Sequence, residues 1–109
     1  MARDTGLEAL LSEDLRAVRG LADKPMFGGW AWLVNGNLLC GARADGLLVR
    51  LGKHRDQWAL ELPGVAAMIS RGRTMSVWVR VGPNIYGNDA LRRKLLDAAL
   101  EFVSSLPVK

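Results

Sequence analysis

A single cysteine, Cys40, and a single histidine, His54, are all the thiol and imidazole this 109-residue chain possesses. One thiol rules out an internal disulfide framework and suits a reducing compartment. A metal centre built on Cys and His would be short of ligands, and the carboxylates show no clustered spacing that could replace them. A Ser-His-Asp or Cys-His arrangement would have to recruit His54 or Cys40 from separate elements with nothing tying them together. Apolar runs are also short: none approaches the ~20 residues of a membrane span. The N-terminus Met1-Ala2-Arg3-Asp4 lacks the apolar core of a signal peptide, so the expectation is a soluble, cytoplasmic protein. Like charges never form a block of about five or six. The net charge of +4 is spread along the whole chain, which reads as solubility rather than as a nucleic-acid arm. Phosphate-cradling glycine motifs are missing too. These absences argue against an enzyme and against any metal or cofactor.

Aromatic residues are few, yet four are tryptophans, and two of these lie in the most informative stretch, Lys24 to Gly41. Asn35-Gly36 sits there between two apolar runs, the strongest short-range hairpin signal, because a type I′ turn needs positive φ at both central residues. The strand before it places Phe27, Ala31 and Leu33 on one face and Trp30, Trp32 and Val34 on the other. A strand open to water on one side should show polar residues there, and this one does not. Its second face must be covered, either by an element of the same chain or by a partner subunit. Gly28-Gly29 at the strand entrance signals positive φ, a bulge or close backbone approach. Cys40 reads as a small apolar filler of the next strand.

Around this hairpin the pattern is regular. Thr5 and Glu8 form a capping-box signature opening a helix with Leu7, Leu10, Leu11, Leu15 and Val18 on its apolar stripe. That helix turns Glu8, Asp14, Arg16 and Arg19 to solvent and stops at Gly20. Asp45-Gly46 marks a second tight turn into the strand Leu47–Leu51. Lys53 to Leu60 predicts a short helix with Trp58 and Leu62 packing inward and His54 on the surface, closed by Pro63-Gly64. Val65 to Ser70 predicts a strand, and Arg71-Gly72-Arg73 a turn. Thr74 to Val81 then alternates, with Met75, Val77, Val79 and Val81 on the core side and Trp78 and Arg80 on the other. Gly82 to Gly87 reads as a loop. Asn88 caps a last helix whose stripe is Leu91, Leu95, Ala98, Phe102 and Val103, with Arg92-Arg93-Lys94 on its polar face. The order α-β-β-β-α-β-β-α predicts a single domain over residues 1–109, α+β, two-layered, with one five-stranded mainly antiparallel sheet.

Several of these segments carry a resemblance. Met26-Phe27-Gly28-Gly29, Val34-Asn35-Gly36-Asn37, Leu48-Val49-Arg50-Leu51-Gly52, Arg71-Gly72-Arg73-Thr74-Met75 and Ser104-Ser105-Leu106-Pro107 resemble the N-terminal domain of the TfoX/Sxy family across roughly Lys24 to Lys109. The resemblance implies a fold similar to secretion chaperones, commonly dimeric, and a relation to regulators of competence for DNA uptake. It implies no catalytic residues. Those regulators usually carry a second, C-terminal domain, and this chain ends where it would begin.

The residues and the resemblance together point to a non-enzymatic regulatory module that binds an unidentified protein partner and pairs with a second copy of itself. Trp30, Trp32 and Trp78 are the expected interface, on a sheet face turned away from the helices, with the edge of the sheet as the other surface for pairing. Arg71, Arg73 and Arg80 are the expected charged contacts. Met26, Phe27, Gly28, Gly29, Asn35 and Gly36 are assigned first to forming the fold. The alternative is a nucleic-acid-associated regulator, in which the basic loop grips phosphates and the aromatic face stacks bases.

Overall fold

The computed structural model describes residues 4–26, 28–70 and 72–109. The chain runs α1 (Thr5–Leu15), β1 (Leu21–Met26), β2 (Gly29–Val34), β3 (Asn37–Arg43), β4 (Gly46–Arg50), α2 (Gln57–Leu60), β5 (Val65–Ser70), β6 (Arg73–Val81), α3 (Pro83–Tyr86) and α4 (Asp89–Ser104). The strands form one antiparallel sheet in the order β1-β2-β3-β4-β6-β5. Leu7, Leu11 and Leu15 of α1, Ala59 of α2, Ile85 of α3 and Leu95, Leu96, Ala99 and Val103 of α4 join one buried cluster with the strands. All four helices therefore bury against the same side of the sheet, as the two-layer α+β expectation requires.

The sheet has six strands rather than the expected five. The extra one is β1, which the sequence disguises with Asp23, Lys24 and Pro25 inside it; an edge strand tolerates such residues because its outer backbone groups face water. Expected loop Gly82–Gly87 also holds the single turn α3, started by Pro83 at its first helical position. The first helix is capped one residue earlier than the capping box suggests: the Leu7 N–H donates to Asp4 Oδ1 at 3.0 Å. For α4 the expected cap is the actual one, the Leu91 N–H donating to Asn88 Oδ1 at 3.1 Å.

The β2–β3 turn has φ of 52° at Asn35 and 82° at Gly36, as a type I′ hairpin demands. It also serves as an anchor for distant chain. Its Asn35 N–H donates to the Gly20 carbonyl at 3.0 Å, and the Lys109 N–H donates to the Asn35 carbonyl at 2.9 Å. Buried Asn37 adds a donation from its side-chain amide to the Pro107 carbonyl at 2.8 Å. The α1–β1 connection and the C-terminal residues are thus tied to one tight turn.

Gly29 shows why a pair of glycines stands at the entrance of β2. A Cβ on Gly29 would lie 2.0 Å from the Ala42 carbonyl oxygen, so only a bare backbone lets β3 approach. Gly28, at φ 73°, makes the turn that separates β1 from β2.

Candidate functional site

Register decides which side chains share a face, since paired residues on neighbouring strands point the same way. Trp32 pairs with Cys40, Cys40 with Val49, and Val49 with Val79. This row faces the helices. Trp32 is 1 % exposed and lies in the main cluster, and Trp30 packs half-buried against the same cluster, its indole N–H donating to Asp23 Oδ1 at 3.0 Å. The expectation that Trp30, Trp32 and Trp78 share an outward face is therefore corrected. A strand apolar on both sides carries no polar row to mark its outside, and the side with two indoles has more area to gain from the core than the side with Ala31 and Leu33. Trp32 has no surface left to offer a partner.

Trp78 does point away from Val79, but it is only 8 % exposed and presents little ring on which a base could stack. Met75, expected on the core side with Val79, is exposed instead. The cause is an irregularity in the β5–β6 ladder: Ala67 pairs with Val79 while Met68 pairs with Met75, so β6 advances four residues against one. Alternation cannot be carried through such a bulge.

Among the charged candidates, Arg73 begins β6 and is exposed, Arg80 is exposed near its end, and Arg71 lies outside the described residues, as does Phe27. Arg73 and Arg80 stand near opposite ends of β6 in the structure. The fold places Arg80 in a different company, on the outer face of the sheet. There the row Ala31, Gly41, Leu48 and Arg80 runs across β2, β3, β4 and β6. Leu48 is fully buried at the floor of a recess of about 230 Å³ whose walls include Arg43, Asp45, Met68, Ile69 and Arg80. Arg43 grips Asp45 with its Nε at 2.8 Å and its Nη2 at 2.5 Å. These hydrogen bonds hold the Asp45 carboxyl below its usual value. Arg80 Nη1 stands 3.9 Å from the same carboxylate, beyond hydrogen-bond reach. The recess therefore holds two guanidiniums to one carboxylate, over an apolar floor.

A second Asp–Arg site is buried between α1 and α4. Arg92 Nε donates to Asp14 Oδ2 at 2.6 Å and its Nη2 to Asp14 Oδ1 at 3.2 Å, while Nη1 donates to the Tyr86 carbonyl at 2.9 Å and to Asp89 Oδ1 at 2.8 Å. The side chains of Arg92 and Asp14 are 2 % and 4 % exposed. Both were expected on solvent-facing helix surfaces; the pairing overrides the helical pattern because each charge can be buried only against the other. Burial alone would raise the Asp14 carboxyl, but hydrogen bonds and charge from Arg92, with Arg93 behind it, outweigh that and leave it below the ordinary carboxylate value. This clasp is structural: all three guanidinium nitrogens of Arg92 donate within it.

No element brings Cys40 and His54 together as a catalytic pair. Cys40 is fully buried on β3, and burial pushes its thiol well above the ordinary value, which keeps it protonated and unreactive. His54 is exposed in the turn before α2. Among the described residues no three His, Cys, Asp or Glu side chains are grouped to hold a metal ion, and no helix is long and apolar enough to cross a membrane.

Compared with known proteins, the chain matches the family model described as TfoX N-terminal domain over residues 13–103. No match is found among curated proteins or among solved structures.

Proposed function

We propose, for a chain that belongs to the TfoX N-terminal domain family, that it is a non-enzymatic regulatory interaction module of the cytoplasm, working as a homodimer joined along β5. One observation carries this reading, the contrast between the two outer edges of the sheet. β1 protects its edge with Asp23, Lys24 and Pro25, devices that discourage pairing with another chain. β5 reads Val65-Ala66-Ala67-Met68-Ile69-Ser70, without charge or proline, and Ile69 is 66 % exposed. A strand of this kind meets no like-charge repulsion when it faces its own copy across a two-fold axis, and antiparallel pairing would make the contact isologous. Of the two surfaces expected for pairing, the sheet edge is thus preferred to the aromatic face.

Sedimentation velocity at micromolar concentration tests it. The wild type is expected to run as a dimer and Ile69→Lys as a folded monomer, with circular dichroism unchanged. A wild type that stays monomeric as its concentration is raised overturns the reading.

A further inference from the structure

The recess on the outer face has a feature that neither the fold nor edge pairing uses. Among the described residues the Arg80 side chain makes no hydrogen bond, and its one charged neighbour, Asp45, is already gripped by Arg43. Its stem runs beside Gly46, where a Cβ would come within 3.6 Å of Arg80 Cγ. The guanidinium is half exposed at the rim, while Leu48 closes the floor and Ala67, Met68 and Ile69 form an apolar wall. The charge balance of Arg43, Asp45 and Arg80 leaves one positive charge uncompensated. We propose that this recess binds a small monoanionic carboxylate with a short apolar body.

Each part of that ligand answers a part of the site. The planar fork of Arg80 suits a carboxylate bidentately, and a monoanion matches the single excess charge. Arg43 neutralises Asp45, so that carboxylate does not cancel the charge Arg80 offers. An alkyl or small aromatic body would lie along Met68 and over Leu48, covering the exposed side of Ile69. At about 30 Å³ for each water-sized group, a volume of about 230 Å³ holds roughly seven or eight heavy atoms. That is the size of hexanoate, and below the ~300 Å³ at which pockets for drug-sized ligands begin.

The test is titration of the full chain, followed by amide NMR shifts and calorimetry, with sodium hexanoate, hexanol and inorganic phosphate as probes. Hexanoate is expected to saturate with a Kd in the millimolar range or tighter, shifting Leu48, Met68 and Ile69, with hexanol and phosphate each about tenfold weaker or worse. Arg80→Met is expected to weaken hexanoate about tenfold while leaving the sedimentation coefficient of the wild type, and Arg80→Lys to fall between. Equal binding of hexanol would reduce the recess to a greasy dent, and equal binding of phosphate to a bare cationic patch. Either result overturns the proposal, as does an unaltered affinity in Arg80→Met or no saturation with hexanoate.

Discussion

Two aspartate–arginine sites in this protein use the same chemistry to opposite ends. Between the helices, Asp14 and Arg92 are withdrawn from water and every nitrogen of the guanidinium donates a hydrogen bond. On the outer face, Asp45 is shared unequally by Arg43 and Arg80, all three partly open to solvent, and one guanidinium is left over. The difference is desolvation. A buried charge must be fully matched or the fold fails, whereas an exposed surplus charge costs little and stays free to meet something else.

The largest expected effect tests the buried site. Arg92→Met strands the Asp14 carboxylate with Arg93, 3.4 Å away, as its one partner among the described residues, and should lower unfolding free energy in urea by about 3–5 kcal/mol. The double variant Asp14→Leu/Arg92→Met should recover much of that loss, because it removes both charges from the interior. A double variant as unstable as the single one would mean that the contact matters for its shape rather than its charge.

Next in size is a pH effect. The folded-state Asp14 carboxyl lies below its unfolded value, so its contribution is fully present above the unfolded carboxylate range near ~4 and is lost as pH falls through the folded value. Asp14→Asn should therefore flatten the acid limb of the stability–pH curve. Asp45 is lowered in the same direction, but solvent screens it, and Asp45→Asn should change that limb far less. The smallest expected effect is Asp45→Ala, which should cost no more than about 1 kcal/mol in urea unfolding. A loss as large as that of Arg92→Met would erase the distinction between the two sites.

Legibility in the sequence follows the same division. The Asn35-Gly36 hairpin and the Asn88 cap are local events, and each could be read from a few adjacent residues; the Gly28-Gly29 pair signalled a close approach, but not that Ala42 of β3 is what approaches Gly29. The apolar stripe of α1 was equally plain at Leu7, Leu11 and Leu15, but that of α4 was read off-centre: Leu96 and Ala99 join Leu95 and Val103 in the core, while Leu91, Ala98 and Phe102 are only partly buried. β1 escaped notice because the residues that protect an edge are those that argue against a strand. The Asp14–Arg92 clasp escaped because each partner, taken alone, sits where a solvated charge belongs. The recess draws on β3, β4, β5, β6 and the β3–β4 turn, whose meeting depends on strand order.

By itself, then, the sequence determined the local geometry and the family: the turns, the caps, the amphipathic helices and the motif that matches the TfoX N-terminal domain. Only the tertiary structure decided which face of the doubly apolar β2 turns inward, and it chose the indoles of Trp30 and Trp32. It also decided which charges are buried and which edge is left unguarded. The physical reason is that turns and caps are set by bonds between near neighbours. Burial is a competition among all side chains for one interior, and its outcome depends on partners such as Asp14 and Arg92, 78 residues apart along the chain.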